Sequence, residues 1–191
     1  MPDDRPPLLR IIEEELIDYR IRSWLSHPRY VHSLGLTGDE RIVEFGSGGG
    51  CLSRALAAAL TQGGSLACVD ISPYWIAKAQ ARLKRFTNTG FLPGDIRKMS
   101  LPAGHYDTVI IHFALHDVDP AERDDVLAAL AAALRPEGTL FIREPANPHH
   151  GMLLSEIQAL MRGAGLRELH AGCTRSLFWS QVCDGAFRKS W

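Results

Sequence analysis

No two of the four cysteines, Cys51, Cys68, Cys173 and Cys183, form a CxxC pair. That removes the common dithiol and zinc motifs, and in a reducing compartment it predicts free, partly buried thiols. No apolar run reaches the length of a membrane span, and Met1–Arg10 lacks the apolar core of a secretion signal. A cytoplasmic location without a membrane partner is expected. Neither charge is in excess: 21 Lys and Arg stand against 22 Asp and Glu, for a formal net charge of −1. No global field favours nucleic acid, and none is predicted as a partner. There is no internal repeat and no low-complexity linker, so nothing marks a boundary inside the chain. Its 191 residues, 46% of them hydrophobic, suit one domain over 1–191 with a sizeable core.

What is present is alternation. After a loose start at Pro2, Pro6 and Pro7, Leu8–Ser26 has apolar residues at roughly helical spacing, and Pro28 is expected to stop that helix. From Arg41 onwards short apolar runs alternate with helical stretches. Strands are predicted at Arg41–Phe45, Ser65–Ile71, Phe91–Asp95, Asp107–His112 and Thr139–Arg143. Helices are predicted at Leu52–Leu60, Pro73–Phe86, Pro120–Leu134 (with Asp119 as N-cap) and Met152–Ala164. Leu166–His170 and Leu177–Cys183 read as a final pair of strands. Strands that are apolar throughout and separated by helices imply an α/β fold, a doubly wound, mostly parallel sheet covered on both faces. Its ligand belongs at the carboxyl ends of the strands, where the order reverses.

The stretch "VEFGSGGGC", Val43–Cys51, follows the first strand at that place. It is no Walker loop, since no Lys follows the glycines. It is a poor dinucleotide loop, because Cys51 or Ser53 stands where a third glycine or alanine is required. The pattern that fits is Glu44-x-Gly46-x-Gly48-x-Gly50. A carboxylate two places before the glycines repels phosphate but tolerates a sulfonium or ammonium. A bare strand-to-helix turn would need fewer glycines. Asp70 ends the second strand, where a carboxylate can accept both hydrogen bonds of a ribose diol. Asp95 follows the third strand. Its carboxylate can accept from an adenine amino group, and the Ile96 N–H can donate to the ring.

With "YDTVIIHFALHDV" at Tyr106–Val118 and "LRPEGTLFIRE" at Leu134–Glu144, four motifs stand in order. The sequence resembles the class I S-adenosylmethionine-dependent methyltransferases of the small-molecule type, strongly over Arg41–Glu144. The resemblance implies a Rossmann-like sheet of seven strands in the order 3-2-1-4-5-7-6, the last antiparallel, with 1–36 as an amino-terminal helical lid segment. It implies S-adenosylmethionine as cofactor and S-adenosylhomocysteine as product. The matching cofactor positions are Glu44, Gly46, Ser47, Gly48, Gly50, Asp70, Ile71, Asp95, Ile96 and His112.

Methyl transfer from a sulfonium is an in-line displacement with a neutral leaving group, so positioning supplies much of the acceleration. A base is needed only when the acceptor must lose a proton. His112 and His116 follow the fourth strand and are the candidate catalytic residues; Asp117 stands beside His116 as a carboxylate partner. The alternative for His116 is a loop cap bonded to backbone. His149 and His150 lack metal-ligand spacing, and no metal is expected. "PANPHHG" is a short insert, which favours a small-molecule acceptor. Tyr19, Arg20, Trp24 and Tyr30 are available to the lid, chiefly as packing residues. Aminopropyl transfer, which would favour acidic residues after the fourth strand, and a non-catalytic scaffold are the rival readings.

Overall fold

The computed structural model describes residues 26–146, 151–175 and 181–190. The predicted helix Leu8–Ser26, apart from Ser26, lies outside the described residues. So do Tyr19, Arg20, Trp24, His149, His150 and residues 177–180 of the last predicted strand. The described chain forms a seven-stranded sheet in the order β3-β2-β1-β4-β5-β7-β6. It divides into two compact units: the described part of 1–41 with 47–95, and 42–46 with the described part of 96–191.

The first unit holds α1 (His27–Ser33), α2 (Cys51–Ala59), β2 (Ser65–Asp70), α3 (Pro73–Leu83) and β3 (Thr89–Pro93). β2 and β3 are parallel, from Leu66 opposite Thr89 to Asp70 opposite Pro93. Helix α2 buries Leu52, Leu56 and Ala57; α3 buries Trp75, Ile76, Ala79 and Leu83, one stripe at helical spacing. Each fully buried leucine contributes about 1.5–3 kcal/mol relative to an exposed one. The helices approach closely: a Cβ on Gly50, whose φ is +81°, would lie 2.7 Å from Leu83 Cδ1. Only glycine meets both the left-handed cap and that contact.

The second unit holds β1 (Arg41–Phe45) from Ile42 onwards, β4 (Tyr106–His112), α4 (Arg123–Ala133), β5 (Leu134–Pro145), α5 (Leu154–Gly163), β6 (Leu166–Thr174) and β7 (Val182–Lys189). β1, β4 and β5 run parallel, while β7 lies antiparallel between β5 and β6. Val109, Ile110 and Ile111 are fully buried, as an apolar strand covered on both faces requires. Asp119 caps the short 3-10 turn Pro120–Glu122 that leads into α4, its carboxylate accepting from the Ala121 N–H at 2.9 Å.

Pro28 stands in the first turn of α1, where a fixed φ and a missing N–H are tolerated. Two expectations are corrected. The final strand is Val182–Lys189, so the predicted Leu177–Cys183 overlaps only its first two residues. The small residues Gly185 and Ala186 hid the rest of it: Gly185 packs under Phe187, where an added Cβ would lie 2.4 Å from the ring. Cys173 and Cys183 are not free thiols. They stand directly opposite each other on β6 and β7 and form a disulfide, while Cys51 and Cys68 are free and buried.

Candidate active site

The predicted site residues fall into two groups, one inside each unit. In the first unit the glycine loop is held by its own backbone. The Ser47 N–H donates to the Val69 carbonyl at 3.0 Å, and the Gly50 N–H to the Ser47 carbonyl at 3.0 Å. Asp70 is brought to this loop: its Oδ2 accepts from the Gly48 N–H and its Oδ1 from the Ser72 N–H, each at 2.9 Å. These two N–H donors fix the orientation of the carboxylate. Ser72 occupies the N-cap position of α3 but makes no side-chain cap bond, so the Asp70 carboxylate organises this turn instead. The Gly94 N–H donates to the Asp70 carbonyl at 2.9 Å, which places Asp95 one residue beyond that tie.

Two features of this group fit an adenosine-bearing ligand. Ile71 follows Asp70 and is 70% exposed, an apolar face presented beside that carboxylate. Ser47 is only 6% exposed, and its hydroxyl has no hydrogen-bond partner among the described residues. A buried hydroxyl without a partner is costly, and a polar ligand atom would satisfy it. Sequence reasoning missed Arg82, whose guanidinium donates to the Gly49 carbonyl at 2.5 Å and approaches Cys51 Sγ at 3.0 Å. It sits on α3, 33 residues away from Gly49, and no local pattern announces it.

In the second unit Glu44 is 2% exposed at the end of β1. Gly46 follows with φ +70°, and a Cβ there would lie 2.3 Å from the Ala114 Cβ. The first glycine is thus dictated by the chain leaving β4 as well as by its own φ. His112 ends β4, half-buried, with its ring 4.3 Å from that of Phe113. Phe113 has φ +55°, an uncommon conformation for a bulky residue. Its N–H still donates to the Arg143 carbonyl at 2.8 Å, so the turn leaves the sheet only after one more rung. Ile96 is 2% exposed and opens the 3-10 turn Ile96–Lys98; its side chain anchors that turn.

His116 lies in the 3-10 turn Leu115–Asp117. The neighbouring Asp117 does stand against it, its Oδ1 3.6 Å from Nε2, but a second carboxylate comes closer. Glu144, at the end of β5, has its Oε2 2.6 Å from Nδ1. Glu144 is completely buried, and its other oxygen accepts from the N–H groups of Ala114 at 3.1 Å and Leu115 at 2.7 Å. Arg123 of α4 completes the support, donating to the carbonyls of Val118 at 3.0 Å and His116 at 3.1 Å and pairing with Glu156 of α5. Glu144 was visible only as the one acidic residue closing an apolar strand. Among the described residues no group of three or more His, Cys, Asp or Glu side chains is placed to hold a metal ion, and no helix is long and apolar enough to cross a membrane.

A family model for a methyltransferase domain matches residues 42–138, from β1 through the turn in β5. The chain belongs to the methyltransferase-domain family. Its sheet order and flanking helices are those of the class I S-adenosylmethionine-dependent methyltransferases. Among curated relatives, the ubiquinone/menaquinone biosynthesis C-methyltransferase UbiE of Ectopseudomonas mendocina is 27% identical over 122 residues, covering 62% of this chain and 47% of that one. The chain spans about half the length of the curated relatives it matches. A methyltransferase structure from Aquifex aeolicus superposes with a TM-score of 0.78 at 16% identity, covering 92% of this chain and 96% of the other. The 1,6-didemethyltoxoflavin-N1-methyltransferase of Burkholderia thailandensis, solved with its acceptor and S-adenosylhomocysteine, does so with a TM-score of 0.69 at 18% identity over 88% and 79%. The methyltransferase fold recurs in these structures, and the family's cofactor is S-adenosylmethionine.

Proposed function

We propose that the chain transfers a methyl group from S-adenosylmethionine to a small-molecule acceptor by in-line displacement. One observation carries the reading: the Asp70 carboxylate is fixed by the Gly48 and Ser72 N–H groups beside exposed Ile71, the arrangement a ribose diol and its adenine require. Asp95 and the Ile96 N–H would serve the adenine. Gly46, Ser47, Gly48 and Gly50 would take the methionine end, with Glu44 nearby in sequence as the compensating charge. Bound there, the cofactor supplies an electrophilic methyl group on a positively charged sulfur.

His112 and His116 are the residues proposed to meet the acceptor. Between β5 and α5 there is only the segment 146–153, too short for a separate acceptor domain, which supports a small acceptor. The curated UbiE relatives and the toxoflavin enzyme are named for small-molecule acceptors, in line with this reading. A cytoplasmic location and a lid role for 1–36 belong to the same proposal. Calorimetric titration with S-adenosylmethionine, S-adenosylhomocysteine and NAD is the test. Binding of both sulfur ligands and none of NAD is expected. Failure to bind either sulfur ligand would leave a methyltransferase fold acting as a scaffold.

A further inference from the structure

We propose that Arg82 is a positioning residue of the cofactor loop: its guanidinium locks the Gly49–Gly50 peptide, so that the loop stands in its binding shape before S-adenosylmethionine arrives. The inference rests on the methyl-transfer reading, and every group it uses lies in the first unit. Gly48, Gly49 and Gly50 are consecutive, and glycine is the least restrained residue a backbone can contain. Ordering such a run costs more conformational entropy than ordering any other residues of the same number. A ligand that had to order it on arrival would lose affinity accordingly. The structure holds the run through bonds of its own. The Gly48 N–H donates to Asp70 Oδ2 at 2.9 Å. The Gly50 N–H donates to the Ser47 carbonyl at 3.0 Å, closing a tight turn in which Gly48 has φ +51°. The Gly49 carbonyl accepts from Arg82 Nη1 at 2.5 Å.

The last two contacts act on one peptide plane. In a trans peptide the carbonyl and the N–H point to opposite sides. Arg82 therefore grips one side of the Gly49–Gly50 plane and the Ser47 carbonyl the other, and turning that plane would break both bonds at once. The guanidinium bond is the stronger of the two, because its donor is charged. The same nitrogen lies 3.0 Å from Sγ of Cys51, the first residue of α2, so one side chain spans the end of the loop and the start of the helix. Gly50, the N-cap of α2, has no side chain to cap it, and its left-handed turn packs on Ala79 and Leu83, the residues of α3 that flank Arg82. Asp70 stands just before α3 and Arg82 in its last turn, so one helix braces the loop from both ends. A guanidinium suits this place better than an ammonium, since its planar group meets oxygen and sulfur from one fixed position.

The test uses the full chain, 15N-labelled and free of ligand, and reads hydrogen exchange at the Gly50 amide. That amide should be protected in the wild type. In Arg82→Met, which keeps the aliphatic stem and loses the donors, it should exchange about 10–100-fold faster. The amides of Ile76 and Ala79 in α3 should keep their protection. Calorimetry should show S-adenosylhomocysteine binding to that variant about 10–100-fold more weakly. In Arg82→Ala, ethylguanidinium supplies the missing atoms and should restore both the Gly50 protection and the affinity; ethylammonium, of the same charge, should restore neither. A Gly50 amide that is unprotected in the wild type would overturn the proposal even if no variant folds. Faster exchange with unchanged affinity would overturn it too, as would weaker affinity with unchanged exchange, or equal rescue by the two cations. A wild type that fails to bind S-adenosylhomocysteine would instead sink the methyl-transfer reading, while Gly50 exchange would still report whether Arg82 locks the loop.

Discussion

Asp70 and Glu144 each stand at the end of an apolar strand, β2 in one unit and β5 in the other, and each accepts backbone N–H groups from loops that follow strands. Their remaining capacity differs. Asp70 keeps part of its surface exposed beside Ile71, and it accepts from the backbone N–H groups of Gly48 and Ser72. Glu144 is sealed from water and spends its third contact on His116. A half-exposed carboxylate is within reach of a ligand. A sealed one is suited to orient another side chain, because desolvation makes every departure from its hydrogen bonds expensive.

The most severe way to break this comparison is Glu144→Ala. It strands two backbone N–H groups and one imidazole in a buried place, and should cost about 3–5 kcal/mol of stability. Urea unfolding would measure it; a loss below about 1 kcal/mol would mean that the buried contacts are replaceable by water. Asp70→Ala should have its main effect elsewhere, weakening S-adenosylhomocysteine binding by about 1–3 kcal/mol in calorimetry. Equal affinity in that variant would remove Asp70 from the ribose. The mildest change, Ser47→Ala, deletes a hydroxyl that already lacks a partner among the described residues. Stability should shift by less than about 0.5 kcal/mol, while ligand affinity should fall by about 0.5–1.5 kcal/mol. A loss of stability without a loss of affinity would reverse the assignment.

Periodicity and turn chemistry made most of the fold legible. The β4 run of Val109, Ile110 and Ile111, the capping Asp119 and the glycine loop each state their structure within a few residues. The last strand did not, because Gly185 and Ala186 break an apolar pattern for the sake of packing under Phe187. The Cys173–Cys183 bridge was hidden by the same misplacement: once β7 begins at Val182, the two residues face each other.

At the site the division is similar. Glu44, the alternating glycines, Asp70 and Asp95 can be proposed from residue type and position at strand ends, since a ligand at a switch point would draw on those local places. The closer partner of His116 could not be found that way. Adjacency gave Asp117, while the fold set β5 beside β4 and carried Glu144 across 28 residues to within 2.6 Å of the ring. Sequence by itself determined the fold class, the glycine loop and the carboxylates that end β2 and follow β3, because each depends on short-range geometry. Tertiary structure alone decided which carboxylate orients the histidine, which cysteines are joined, and why Gly46 must be glycine, because those depend on side chains that meet only when the strands are aligned.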